Sequence, residues 1–115
     1  MNPTEPLRGE VWDLDLNPII AREQVGFRPA LVLSVDLFNV GPAELVVTVP
    51  ITRTQRKIRW HVPIRPPEGG LAAQSFVQCE NVRSVSKRRL KRRRGRVSAE
   101  TLEEVEDRVR ILLGL

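Results

Sequence analysis

Polar and apolar residues alternate in the first clear element of the chain. Within residues 9–16, Trp12 and Leu14 fall on one side of an extended backbone. Asp13 and Asp15 fall on the other side. A period of two residues is typical of a β-strand with one buried face. The pattern therefore predicts a first strand with its two aspartates on the solvent side.

Four more short apolar runs predict four further strands. They cover residues 30–33, 45–51, 60–64 and 75–85. The last run is interrupted near Asn81, and pairs of prolines and glycines separate it from the run before. Several short strands at close spacing with Pro/Gly turns are typical of a small barrel or a compact antiparallel sheet.

The end of the chain has a different period. Ser98 is a good N-cap residue, and Glu100 would lie in the first helical turn, where the helix dipole favours an anion. Gly114 is a natural stop. Between them an apolar stripe recurs at helical spacing, formed by Leu102, Val105, Val109 and Leu112. One amphipathic helix on a five-stranded sheet predicts a single α+β domain over residues 1–115.

Composition is consistent with a folded protein and predicts a cytoplasmic one. The 115 residues are 41% apolar and 29% charged, which argues against disorder. No apolar run approaches the ~20 residues that cross a bilayer, and the first residues lack the blocks of a signal peptide. A single cysteine excludes an internal disulfide.

The net charge of +5 is concentrated in one segment. Residues 1–86 are neutral, residues 87–96 hold eight basic residues and no acid, and residues 97–115 carry a net charge of −3. This basic run is either a solvated connector to the helix or a site for a polyanion. Because eight adjacent positive charges repel one another, we favour an anionic partner, either RNA or an acidic protein segment.

The usual catalytic sets are missing. His61 is the only histidine, so neither a two-histidine acid/base pair nor a His/Cys zinc cluster is predicted. We expect a structural or surface role for His61 and a buried apolar role for Cys79. Gly69-Gly70 is interpreted as a turn after two prolines, and the sequence contains no Gly-rich phosphate loop. No metal or cofactor is predicted.

One pair of residues offers electrostatic catalysis. Arg28 precedes one predicted core strand and Thr52 follows another. Proline restricts both itself and its predecessor, so Pro29 fixes the backbone direction of Arg28. Neighbouring strand ends could place the guanidinium near the hydroxyl, where together they would stabilise a pentavalent phosphorane.

Several stretches resemble the MazF/PemK family of toxin endoribonucleases. The longest are residues 8–18 (RGEVWDLDLNP), 23–34 (EQVGFRPALVLS) and 49–52 (VPIT). Shorter similarities follow in the same order, among them residues 81–85 (NVRSV) and 95–98 (GRVS). The resemblance extends over nearly the whole chain from Arg8 onward.

The resemblance implies a small SH3-like antiparallel β-barrel with a C-terminal amphipathic helix, a fold shared with the CcdB gyrase poisons. It implies a cytoplasmic homodimer that cuts single-stranded RNA, often at short preferred sequences and without a metal. Cleavage would use the RNA's own 2′-hydroxyl and leave a 2′,3′-cyclic phosphate and a 5′-hydroxyl. The implied protein partner is an antitoxin whose acidic, largely disordered tail lies over the RNA groove.

The resemblance also implies site residues. The family's catalytic arginine and threonine fall on Arg28 and Thr52, and the acid of the intervening loop falls on Glu23. RNA contacts are expected near these residues and along the basic run. The predicted RNA-binding residues are Gln24, Arg53, Lys87, Arg88, Arg92, Arg93 and Arg94.

Other functions stay open at this point. A gyrase poison would share the fold, and a non-catalytic RNA-binding module could use the basic run alone. An antitoxin-like or ribosome-associated structural protein is a third possibility. The basic run could also dock the antitoxin rather than RNA. The cleavage sequence, the target RNA, the antitoxin and the dimer interface do not follow from the sequence.

Overall fold

An antiparallel, barrel-like sheet forms most of the protein. The computed structural model describes residues 5–15 and 27–115, and seven strands lie within these ranges. The strands are β1 (Glu10–Asp15), β2 (Phe27–Val32), β3 (Leu45–Thr52), β4 (His61–Ile64), β5 (Ser75–Gln78), β6 (Arg83–Ser86) and β7 (Leu90–Arg96). Their order is β4-β5-β3-β2-β1-β7, and β6 pairs with β3. The predicted α+β fold is confirmed.

The predicted count of five strands is wrong at two places. The fifth apolar run is divided by a 3-10 turn (Cys79–Asn81) into β5 and β6, at the interruption predicted near Asn81. The basic run also forms a strand, β7, rather than a solvated connector. It has no apolar alternation of its own and becomes a strand by pairing along β1.

The core lies between the sheet and the C-terminal helix. One buried cluster joins Val11, Leu31 and Val49, from three adjacent strands, to Val105 and Val109 on the helix. A smaller cluster on the other side of the sheet contains Leu14, Ala30, Val46 and Val85. Burial of apolar area of this kind, at roughly 25 cal/mol per Å², holds the strand ends in fixed positions.

Two α-helices complete the fold, the single turn α1 (Asp36–Asn39) and the longer α2 (Ala99–Leu113). The predicted cap of α2 is confirmed, because the Ser98 hydroxyl accepts a hydrogen bond from the Thr101 N–H at 3.1 Å. Gly114 ends α2 in the left-handed conformation, with φ of 74°. Within residues 5–15 and 27–115, neither helix is long and apolar enough to span a membrane.

Candidate active site

The register of the sheet brings Arg28 and Thr52 to neighbouring strand ends. Ala30 of β2 pairs with Pro50 of β3, and Leu31 pairs with Val49. In an antiparallel ladder, moving two residues along one strand moves the partner two residues the other way. Arg28 and Thr52 each lie two residues beyond the last pair of this ladder, Ala30 with Pro50, on adjacent strands at the same end of the sheet.

Both residues line one groove of about 430 Å³ at this end of the sheet. Its apolar floor includes Ile51 and Leu71. Its polar side chains are Arg28, Thr52, Arg53, Thr54, Ser75 and Arg94. Three guanidinium groups and no carboxylate line the described part of the groove. An anion is the ligand that such a lining favours.

The two predicted catalytic groups have unused hydrogen-bonding capacity. Arg28 is exposed, and its guanidinium has no hydrogen-bond partner in the described part of the chain. The Thr52 hydroxyl accepts from the Thr54 N–H at 3.1 Å, which leaves its own O–H available to donate. By contrast, the buried Ser75 hydroxyl already donates to the Ala73 carbonyl at 2.9 Å. Arg28 and Thr52 therefore each keep a donor available for a bound anion.

A β-bulge delivers Arg94 to the same groove. Val11 of β1 pairs with Gly95 of β7, whereas the next residue, Trp12, pairs with Arg93. Arg94 is the extra residue between these pairs, and a bulge of this kind re-aims a side chain. Its Nη1 donates to Asp13 Oδ1 at 3.1 Å, and Nη2 lies 3.4 Å from the carbonyl oxygen of Gly70.

Close backbone approach fixes the position of this bulge. Gly70 has a φ of +71°, which favours glycine. A Cβ at Gly70 would overlap the carbonyl oxygen of Arg94, and a Cβ at Gly95 would lie 2.7 Å from the Gly70 nitrogen. The predicted Gly69-Gly70 turn, a 3-10 turn over Glu68–Gly70, thus packs directly on β7. Arg94 enters the groove because these glycines let the two backbones touch.

Two buried carboxylates on β1 neutralise part of β7. Asp13 is only 5% exposed and pairs with Arg92 at 3.3 Å as well as with Arg94. Glu10 accepts from the Trp12 indole N–H at 2.9 Å and pairs with Arg93 at 2.9 Å. Placing Asp13 on the solvent side of β1 was wrong, because β7 covers that side with arginines.

The environment of Glu10 favours its ionised form. Burial by itself would raise the pKa of the Glu10 carboxyl. Hydrogen bonds from the Trp12 indole, the Leu7 backbone N–H and Arg93 outweigh burial and lower that pKa below 4.5. Glu10 is therefore a fixed negative charge beneath β7 at neutral pH.

The predicted RNA-binding residues of the basic run do not share one location. Lys87 pairs with Glu5 at 2.8 Å and also donates to the Asn39 carbonyl. Arg92 and Arg93 keep 70% and 55% of their side-chain surface exposed while pairing with β1. Lys87, Arg92 and Arg93 line a second groove of about 530 Å³, beside Trp12. Arg88 is on the 3-10 turn Lys87–Arg89. Of these residues, Arg94 alone lines the groove that holds Arg28 and Thr52.

The histidine and the cysteine take no part in the groove lining described. His61 is buried, and its Nε2 lies 2.9 Å from Glu80 Oε2. Cys79 is fully buried, and desolvation raises the pKa of its thiol to about 12. The structural role expected for His61 and the apolar role expected for Cys79 are consistent with this burial. Across residues 5–15 and 27–115, no group of three His, Cys, Asp or Glu side chains could hold a metal ion.

A family model matches residues 7–113, almost the whole chain. Its description is PemK-like, MazF-like toxin of type II toxin–antitoxin systems. The chain belongs to this family.

Two curated relatives have a similar length. Endoribonuclease MazF9 of Mycobacterium tuberculosis is 34% identical over 113 residues, covering 94% of this chain and 96% of the relative. Endoribonuclease EndoA of Bacillus subtilis is 30% identical over 109 residues, covering 94% of each.

Solved structures of PemK/MazF proteins share the fold described above. A MazE–MazF structure from Deinococcus radiodurans matches with a TM-score of 0.84 at 29% identity, covering 96% of this chain and 97% of that one. An endoribonuclease from a mycobacterial species, in complex with its cognate antitoxin, matches with a TM-score of 0.79 at 29% identity, covering 96% of each chain. The predicted SH3-like barrel with a C-terminal helix is therefore confirmed.

Family membership leaves the individual site residues to be tested. Arg28, Thr52 and Arg53 lie together at the groove, and their roles stay predictions. Glu23 and Gln24 lie outside the described residues. Asp13 was not predicted as a site residue. Its hydrogen bond with Arg94 joins positions 81 residues apart, and no pattern of neighbouring residues in the sequence indicates such a contact.

Proposed function

We propose that this protein is the toxin of a type II toxin–antitoxin system and cleaves single-stranded RNA by metal-independent transesterification. The observation that carries the proposal is the cationic groove that Arg28 and Thr52 both line, at the ends of neighbouring strands. The relatives EndoA and MazF9 are both named endoribonucleases, which favours RNA over the gyrase target of a CcdB-like poison.

Arg28 and Thr52 act on the phosphate. The RNA 2′-oxygen attacks the adjacent phosphorus, a new P–O2′ bond forms, and the P–O5′ bond breaks. The Arg28 guanidinium neutralises the charge that builds on the phosphorane oxygens. The Thr52 O–H donates to a phosphoryl oxygen, because its lone pair already accepts from the Thr54 N–H.

The proton from the 2′-hydroxyl needs a base that the described groove does not contain. An arginine is a poor base because its pKa lies above ~12. We assign the proton to Glu23, the acid five residues before Arg28 in the sequence. The leaving 5′-oxygen takes a proton from the Arg28 guanidinium. The proton held by Glu23 then passes through solvent to Arg28, so both groups regain their starting charge. The products are a 2′,3′-cyclic phosphate and a 5′-hydroxyl.

The same groove explains how an antitoxin would inhibit. Structural relatives have been solved as MazE–MazF complexes and with a cognate antitoxin. An acidic antitoxin segment would compete with RNA phosphates for the arginines of the groove. We propose such a partner, and a homodimer as the active toxin.

RNA cleavage with mapped product ends tests the reaction. Purified protein is incubated with a defined single-stranded RNA pool, with and without EDTA, and both new ends are analysed. Equal cleavage with EDTA, together with cyclic phosphate and 5′-hydroxyl ends, is expected. Cleavage abolished by EDTA, or 5′-phosphate ends, contradicts the mechanism. No cleavage at any protein concentration would support a non-catalytic RNA-binding module.

Matched variants test the residue assigned to the phosphate. Arg28→Ala should lower the cleavage rate by ~10²–10³, as loss of one transition-state donor does. Arg110→Ala removes the same charge from α2, where Arg110 pairs with Asp107, and should cleave at the wild-type rate. A folded Arg28→Ala variant that cleaves as fast as Arg110→Ala would remove Arg28 from the mechanism.

A further inference from the structure

The Arg94 guanidinium is held in place more firmly than the other two arginines that line the groove. Its Nη1 lies 3.1 Å from Asp13 Oδ1, and its Nη2 lies 3.4 Å from the Gly70 carbonyl oxygen. Arg28 and Arg53 have no such contacts within the described ranges. An arginine that is held before its ligand arrives loses less side-chain entropy on binding.

These two contacts leave some N–H donors of the Arg94 guanidinium available for a ligand. A guanidinium has five N–H donors, and two contacts account for one at Nη1 and one at Nη2. The side chain keeps 23% of its surface exposed and lines the groove. Nε is buried and has no hydrogen-bond partner in the described chain, so the donors left for a ligand are the second N–H on each of Nη1 and Nη2. The remaining donors suit an oxygen-rich anion.

Asp13 determines this orientation. It is buried and lies between Arg92 and Arg94, so its carboxylate faces two cations. Arg92 is 70% exposed and lines the other groove, next to Trp12. The carboxylate therefore anchors Arg94, which lines the groove, from the neighbouring strand β1.

We propose that Arg94 binds an RNA phosphate beside the scissile one, and that Asp13 is the residue that positions Arg94. The inference rests on the proposed function, because the same groove holds the RNA. It makes an unusual electrostatic prediction. Neutralising Asp13 makes the protein more positive, which by charge alone would strengthen RNA binding. Loss of positioning would instead weaken it.

Binding of an uncleavable RNA tests the inference apart from catalysis. The probe is a fluorescent single-stranded 2′-O-methyl RNA, which lacks the attacking hydroxyl, and its affinity is measured by anisotropy over a salt series. Arg94→Ala should bind about tenfold more weakly, the usual effect of losing a hydrogen bond to a charged group. Its plot of log affinity against log salt should be shallower by ~0.7, as for one lost phosphate contact on a single strand. The charge-matched control Arg110→Ala should bind like wild type.

A double-mutant cycle tests the positioning role. Asp13→Asn should weaken binding severalfold in the wild-type background and should not weaken it when Arg94→Ala is already present. Tighter binding by Asp13→Asn, or an equal effect in both backgrounds, overturns the role of Asp13. If Asp13→Asn does not fold, Arg94→Lys replaces it: a lysine keeps the charge but has no planar fork. Arg94→Lys should then bind more weakly than wild type, and wild-type affinity would refute positioning.

The two proposals can fail separately. If wild type cleaves RNA but Arg94→Ala binds the probe like Arg110→Ala, Arg94 has no role and the nuclease assignment stands. If Arg94→Ala weakens binding and no variant cleaves any RNA, the phosphate site stands and the nuclease assignment fails.

Discussion

Replacing Gly70 by alanine should destabilise the protein far more than the same change at Gly114. Both glycines have positive φ, +71° and +74°, so each alanine carries a left-handed backbone strain of about 1–3 kcal/mol. A Cβ at Gly114 would meet no atom within 4 Å, whereas one at Gly70 would overlap the carbonyl oxygen of Arg94. Overpacking against a fixed neighbour adds about 1–3 kcal/mol. The difference between the two variants therefore measures the backbone contact between the turn and β7.

Urea denaturation followed by circular dichroism measures that difference. With a urea dependence of about 1–3 kcal/mol per M, an extra loss of ~2 kcal/mol lowers the midpoint by roughly 1 M. Against a total stability of about 5–15 kcal/mol, Gly70→Ala should remain folded without urea. Equal midpoints for Gly70→Ala and Gly114→Ala would refute the view that glycine is needed for close approach of the two backbones.

Three further predictions concern single groups. Thr52→Val keeps the shape of the side chain but removes the hydroxyl donor, and should slow RNA cleavage by ~10² or more in single-turnover assays; an unchanged rate would exclude the hydroxyl. The pKa of Glu10 is lowered in the folded state, so its ionised form stabilises the protein above pH 4.5 and this is lost as pH falls through the folded pKa. Unfolding free energies of wild type and Glu10→Gln should thus differ by about 1–3 kcal/mol at neutral pH and converge in acid; a constant difference would contradict this. Because burial raises the pKa of the Cys79 thiol to about 12, iodoacetamide at pH 8 should label it only after unfolding; rapid labelling of folded protein would disagree.

Local patterns in the sequence were sufficient for most of the fold. The alternation around Trp12 and the apolar runs predicted the strands of the central sheet, because a buried strand face has a period of two. Ser98 and Gly114 predicted the ends of α2, since caps satisfy backbone groups within a few residues. Arg28 and Thr52 could be brought together because strand ends at matching positions of an antiparallel pair are neighbours.

The parts that could not be predicted depend on distant partners. Nothing in residues 87–96 alternates between apolar and polar, so the run has no strand pattern of its own. It becomes β7 because Glu10 and Asp13, buried on β1, neutralise its arginines. The bulge at Arg94 depends on the close contact between Gly70 and Gly95. Interactions between residues so far apart in sequence leave no local period to detect.

The pairing of β1 with β7 has a consequence for synthesis of the toxin. Glu10 pairs with Arg96, so β1 cannot form its ladder on that side until β7 has been synthesised. A growing polypeptide that stops before residue 90 would leave one side of β1 without its hydrogen-bonding partner, and would lack the Arg94 wall of the groove. Sheet closure that requires such distant segments is slow to form. A nascent or truncated chain therefore stays incomplete until residues 90–96 have been translated.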